Sequence, residues 1–148
     1  MATFTGAHRA TLPWSRSPAD AVAAWADPAR QVACRPEVVR SAQPGPGQLR
    51  LVLKEMKHGP TAFSGDYTLQ FTASEGLVTW TTLPGGNPQV RGSARFVAAP
   101  GGCTVQVEES VSVEMPVSGI AATLLRPIVE TMMARGMASF AERMTTTP

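Results

Sequence analysis

The stretch "IAATLLRPIVETMMARGMASFAERM", from Ile120 to Met144, decides the fold because it predicts one long helix. At 1.5 Å per residue, a helix of this length extends for about 37 Å. Pro127 lies in its middle, where a proline removes a backbone hydrogen bond and bends the helix. Beyond Pro127, apolar residues recur at spacings of three and four, which predicts a buried stripe where Gly136 allows close approach. Its members are Val129, Met132, Met133, Gly136, Met137 and Phe140.

The sequence before this helix predicts strands that are separated by glycine-bearing turns. The clearest period of two is "FSGDYTLQF" at 63–71, which places Phe63, Tyr67 and Phe71 on one face. Turns of hairpin length make such a sheet antiparallel. An antiparallel sheet with one apolar face needs a cover, and the long helix is the only element that can supply it.

Two short helices are predicted after the first strand. Ser17 and Asp27 can each act as an N-cap, and each is followed by a proline at the first helical position. The fold class is therefore α+β, with a curved antiparallel sheet of six or seven strands wrapped around a helix over about 117–144. We expect a single domain over residues 1–148.

Composition and the absence of known motifs argue against several classes of function. The 13 basic residues are scattered singly and the net charge is only +2, which argues against a nucleic-acid interface. No apolar run reaches the roughly 18 residues of a membrane span, and the N-terminus has no apolar signal-peptide core. We therefore expect a cytoplasmic protein with Cys34 and Cys103 reduced. Neither a metal site nor a cofactor site is predicted, because no ligand spacing or phosphate-binding motif is present.

Several phrases resemble those of a known superfamily. They are "FTG" at 4–6, "AWADPAR" at 24–30, "KHGPTAFSGDYTLQF" at 57–71, "GSARF" at 92–96 and "GGCTVQVEE" at 101–109. With the order of elements, these phrases resemble the START-like or SRPBCC superfamily, whose members have the helix-grip fold. The chain is most similar to the branch typified by CoxG, a protein of the carbon-monoxide-dehydrogenase system. The resemblance covers nearly the whole chain.

The resemblance implies a deep, largely apolar cavity between sheet and helix that binds lipids, sterols, polyketides or quinones. CoxG-like members are associated with quinone handling beside redox enzymes, and other branches are polyketide cyclases. The expected partner is thus a small hydrophobic molecule, with a redox enzyme or a membrane surface as a further partner. The chain ends in "TTTP" and lacks the long tail of some CoxG proteins, which weakens a membrane tether. The sequence selects neither a ligand nor an oligomeric state.

Strand alternation places few polar side chains on the inner face of the sheet. Glu109 interrupts an apolar row that contains Val105 and Val107, and His8 has the same parity in the first strand. In this fold the first strand commonly pairs with the last, which would bring His8 near Glu109. A buried acid beside an imidazole can act as a general base or orient a ligand. Alternatively, parity slips at a bulge, or Glu109 is a structural partner of Arg135.

We expect a ligand cavity because the predicted inner face carries small residues, Gly65, Gly92 and Ala94, where the helix must pass. Three functions remain: non-catalytic binding or transport of a hydrophobic ligand, a cyclase- or dehydratase-like enzyme using Glu109 and His8, and an interaction module with a collapsed cavity. The first is favoured because no acid, base and nucleophile set is evident. The predicted ligand-binding residues are Phe63, Tyr67, Phe96, Val107, Glu109, Met132, Met133 and Phe140.

Overall fold

A computed structural model describes residues 1–58 and 61–148 of the chain. The turn predicted at Gly59 and Pro60 lies outside the described residues. Nine strands and three helices follow one another in the order β1, α1, α2, β2 to β9, α3 within those ranges. Their bounds are β1 Ala2–Trp14, α1 Pro18–Trp25, α2 Pro28–Ala33, β2 Val38–Ala42, β3 Gln48–Leu53, β4 Met56–His58, β5 Thr61–Phe63, β6 Asp66–Ser74, β7 Leu77–Thr82, β8 Gln89–Ala99, β9 Gly102–Met115 and α3 Gly119–Thr146.

Each helix begins at a side-chain cap. The hydroxyl of Ser17 accepts a hydrogen bond from the backbone N–H of Asp20 at 3.2 Å, and Asp27 accepts from Ala29 at 3.1 Å. Ser118 caps α3 in the same way, accepting from Ala121 at 3.2 Å. This cap explains why α3 begins at Gly119, two residues after the predicted start. The helix continues through Pro127, and the bend expected there stays a prediction.

Seven strands form one antiparallel sheet in the order β1-β9-β8-β7-β6-β3-β2, and β4 pairs with β5 in a separate hairpin. The predicted α+β class, the antiparallel sheet and the long C-terminal helix are therefore confirmed. The first strand pairs with the last along its whole length, and this register places His8 directly opposite Glu109.

The two faces of the sheet differ in character. The inner face, defined as the face that carries Trp80 and Glu109, is buried and largely apolar. The outer face carries mostly serine, threonine, glutamine and arginine side chains. Alternation holds through β8 and β9 without a bulge, so the parity slip considered for Glu109 does not occur. Buried residues of the inner face include Leu49, Leu51, Tyr67, Leu69, Val78, Val90, Ala94, Phe96, Val105 and Val107.

Helix α3 packs chiefly against β1, the edge strand of the sheet. The helix approaches most closely at Gly6, where an added Cβ would lie only 2.9 Å from the Cβ of Met133. The close approach expected at Gly136 is wrong, because among the described residues no atom beyond the local helix backbone lies within 4 Å of a Cβ built there. The small residue that allows helix and strand to meet is therefore on the strand.

Helix α1 contributes the residue at the centre of the core. The Trp25 ring is fully buried and its centroid lies 5.8–6.2 Å from the ring centroids of four other aromatic residues. Offset and edge-on contacts at such distances are favourable for aromatic pairs. These five residues, hereafter the aromatic cluster, are Trp14, Trp25, Trp80, Phe96 and Phe140.

The contact between β1 and α3 predicts opposite effects of two glycine substitutions. We expect Gly6→Ala to lower the melting temperature, because the new methyl group meets the Cβ of Met133, which cannot rotate away. We expect Gly136→Ala to raise it by about 2–4 °C, since alanine is favoured over glycine inside a helix by about 0.5–1 kcal/mol. Thermal unfolding followed by circular dichroism measures both. Equal effects of the two substitutions would contradict the described packing.

Candidate functional site

A buried carboxyl group, that of Glu109, lies on the inner face, on the strand next to the edge strand β1. It belongs to β9 and is 7% exposed. The indole Nε1–H of Trp80 donates a hydrogen bond of 2.8 Å to its Oε2. Trp80 rather than Arg135 is therefore the protein partner of this carboxyl group. Burial raises the pKa of Glu109 more than the nearby Arg35 guanidinium and the Trp80 hydrogen bond lower it.

The position of Trp80 depends on the absence of a side chain in the neighbouring strand. A Cβ at position 92 would lie 2.1 Å from Cε2 of Trp80, so the indole ring lies directly on the Gly92 backbone. The space predicted to be empty at Gly92 is thus filled. Leu53 fills the space at Gly65 in the same way, at 2.6 Å from a Cβ built there. The expectation of missing volume at these two positions is wrong, because neighbouring side chains fold over both glycines.

A second polar group enters the interior after α2. Arg35 is 6% exposed, and its guanidinium carbon lies 4.0 Å from the centroid of the Phe140 ring. Its Nη2 donates to Oε1 of Gln31 at 3.1 Å, and Nε2 of Gln31 donates to the backbone oxygen of Trp25 at 2.7 Å. Tyr67 faces the same interior, where burial raises the pKa of its hydroxyl group and the charge of Arg35 opposes that rise.

Most predicted ligand-binding residues face the interior, but not all of them come together. Phe63, Tyr67, Phe96, Val107, Glu109 and Phe140 are buried. Met133 is half-buried against β1, and Met132 is 56% exposed. The expectation that Met132 faces inward is therefore wrong. Helix α3 lies over the edge strand, and Met132 belongs to a row of apolar residues, spaced four apart, that faces solvent.

Two concave regions of the surface lie on the outer face. The larger, about 750 Å³, is bordered by side chains of opposite parity to Glu109, among them Arg9, Thr79, Thr81, Arg91 and Glu108. The smaller, about 460 Å³, lies beside it. Of the residues predicted to bind ligand, only Glu109 borders either region, and its side chain points to the other face. The cavity between sheet and helix therefore stays a prediction.

The site residues predicted from sequence do not include Arg35, Gln31, Trp25 or Trp80. One signal was available, since Gln31 and Arg35 are separated by four residues at the end of a short helix and can contact each other. The roles of Trp25 and Trp80 carry no local signal, because their contacts join residues that are distant in sequence. Within the described ranges, no group of three or more histidine, cysteine or acidic side chains could hold a metal ion. No described helix is long and apolar enough to cross a membrane.

The buried carboxyl group predicts a pH-dependent stability. Since burial raises the pKa of Glu109, the folded protein binds this proton more tightly than the unfolded chain does. The contribution of Glu109 to stability is therefore greatest below its unfolded pKa, about 4.3, and is lost as pH rises through its folded pKa. Glutamine cannot ionise, so Glu109→Gln should melt about 3 °C or more above wild type at pH 8. The difference should shrink toward pH 4.

The matched control is Glu108→Gln, on the same strand and the opposite face. Glu108 is exposed and pairs with Arg9 at 3.0 Å, a surface contact of the kind that contributes little. Differential scanning calorimetry from pH 4 to pH 8 should show no rising difference for this variant. Melting temperatures of Glu109→Gln that run parallel to wild type across the range would contradict the assigned burial.

No family model matches the chain, and no curated protein matches it either. The structure of TTHA0849 from Thermus thermophilus is similar with a TM-score of 0.67 at 16% identity, over 94% of both chains. A START superfamily protein from Mycobacterium smegmatis has a TM-score of 0.61 at 16% identity, again over 94% of both chains.

A third similar structure is that of the Zhui aromatase/cyclase from Streptomyces sp. R1128. Its TM-score is 0.62 at 11% identity, over 97% of this chain and 92% of that one. At these identities the similarity concerns the fold. The chain thus has the START-like, helix-grip fold, which the sequence phrases predicted.

Proposed function

We propose that this protein binds or transports a small, largely apolar molecule between the inner face of its sheet and α3, without chemical change. The support is that α3 packs chiefly on β1, and that two inward residues at the margin of the core stay partly exposed. Leu53 and Val111 point inward by strand parity and pack at the margin of the core, yet both are only half-buried.

The proposal depends most on one observation: the inward row of β9 holds a partly exposed apolar residue next to a buried polar group. Val111 follows Glu109 on the same face of β9, so apolar surface and a hydrogen-bonding carboxyl group are adjacent. Ligand sites for small molecules typically combine apolar walls with a few convergent polar groups. The ligand class we propose is a lipid, a quinone or a polyketide-like molecule. A quinone would agree with the resemblance to CoxG.

An enzyme of the cyclase or dehydratase type is the second candidate. The register that sets His8 opposite Glu109 supports it, as does the raised pKa of Glu109, because a protonated carboxyl group can donate a proton to a bound carbonyl. The similarity to the Zhui aromatase/cyclase adds to this support. We favour binding, because the hydrogen bond recorded for Glu109 comes from the indole of Trp80 and not from His8.

An interaction module with a collapsed cavity is the third candidate. The aromatic cluster supports it, because its rings fill the part of the interior between α1, the sheet and the C-terminal part of α3. We favour a ligand site because the rings of the aromatic cluster leave Val111, at the margin of the core, only partly buried. A redox-enzyme or membrane-surface partner and a cytoplasmic location stay predictions.

The uncharged dye Nile red tests the proposal, since its emission rises and moves to shorter wavelength in an apolar site. We expect wild-type protein to take up the dye with saturation at one molecule per chain. Val111→Trp should weaken uptake at least tenfold, because the indole ring would occupy the space beside Glu109. Fluorescence titration measures the affinity of each protein.

The control is Ser110→Trp, which adds the same ring one residue away on the outer face, where Ser110 is exposed. This variant should bind Nile red as wild type does, and both variants should melt within a few degrees of wild type. Binding by Val111→Trp with wild-type affinity, or no saturable uptake by wild type, would refute the proposed site.

A further inference from the structure

We infer that the ligand of this site carries an acidic oxygen group, most simply a carboxylate, and that Arg35 and the indole N–H of Trp25 receive it. The inference rests on the proposed function and names the chemical class that the interior would recognise. It follows from two buried hydrogen-bond donors that have no acceptor among the described residues.

The first free donor belongs to Arg35. Its Nη2 is engaged by Gln31 and its guanidinium stacks on Phe140, but its Nε has no hydrogen-bond partner in the described part of the chain. No described carboxylate lies within 4.0 Å of its nitrogen atoms. A buried positive charge without a counter-charge is costly, and a buried N–H without an acceptor costs about 1–3 kcal/mol.

The second free donor is Nε1 of Trp25, which is also buried without a partner among the residues described. Gln31 links the two residues that carry these donors, because it hydrogen-bonds to the Trp25 backbone oxygen and to Nη2 of Arg35. Both also adjoin Phe140, whose ring centroid lies 6.0 Å from that of Trp25 and 4.0 Å from the guanidinium carbon. A carboxylate fits this pair, since it has two oxygen atoms and accepts several hydrogen bonds at once.

The acid of the protein itself does not fill this role. Glu109 already accepts the hydrogen bond of Trp80, and burial raises the pKa of its carboxyl group, which favours the uncharged form. Burial likewise raises the pKa of Tyr67 and keeps its hydroxyl group neutral. Neither side chain in its neutral form therefore supplies a counter-charge to Arg35. A planar guanidinium also matches a carboxylate better than it matches an ester or an alcohol.

Two probes that differ only in this group provide the test: 2-naphthylacetate and its methyl ester, each used to displace Nile red from wild-type protein at pH 7.5. We expect the acid to displace the dye at a concentration at least tenfold lower than the ester. The inference is overturned if the ester displaces the dye equally well, or if the acid does not displace it. Equal displacement would mean that water satisfies both donors.

Two variants test whether Arg35 is the residue that causes the preference for the acid over the ester. Arg35→Gln should reduce the advantage of the acid to less than threefold. Arg91→Gln removes the same charge from the exposed outer face and should retain the full advantage. A retained preference in Arg35→Gln would assign the anion to another group and overturn the inference. If circular dichroism shows that Arg35→Gln is unfolded, the comparison of acid with ester in wild type decides.

The outcomes separate the two proposals. If wild-type protein does not take up Nile red, the proposed function fails and the inference fails with it. If the dye binds and the acid shows no advantage over the ester, only the inference fails.

Discussion

The indole ring of Trp80 can lie on the sheet only because position 92 carries no side chain, and much of the interior depends on this contact. The flat ring directs its N–H to Glu109 at 2.8 Å and offers its other face to Trp25. Trp25 in turn packs against Phe96 and Phe140, which joins α1, the sheet and α3. Any side chain at position 92 would displace the indole and disturb both the polar and the apolar contacts.

The interior divides along α3 into two regions of different packing. Near its C-terminal end, α3 packs through Phe140, Ala141 and Met144 on the core around Trp25. Arg30 holds this end by donating from Nε to the Met144 oxygen at 3.2 Å, the position where cations favour a helix. Near its N-terminal end, the helix packs on Phe4 in a separate, smaller cluster. The candidate site lies at the partly covered margin around Val111, beside the core cluster that holds Trp25.

The sequence predicted the fold well because the fold depends on periodicity and caps. The alternation in β6 and β9, the caps at Ser17 and Asp27 and the length of α3 are local features, and the pairing of β1 with β9 followed from the resemblance. Glu109 and Tyr67 were also placed correctly, since alternation alone fixes the face of a strand residue. The orientation of Met132 was predicted wrongly because the spacing of apolar residues in a helix does not determine which strand the helix covers. The filled spaces at Gly65 and Gly92 were missed because long-range contacts leave no trace in local sequence.

The side-chain N–H groups of the three tryptophans report directly on the hydrogen bonds of the interior. A ¹H–¹⁵N spectrum shows separate side-chain signals for Trp14, Trp25 and Trp80, and titration with 2-naphthylacetate follows all three at once. The account predicts that the Trp25 signal moves downfield as its free N–H gains an acceptor, whereas the Trp80 signal, already bonded to Glu109, moves little. A Trp25 signal that stays fixed while the acid saturates the protein would contradict the account.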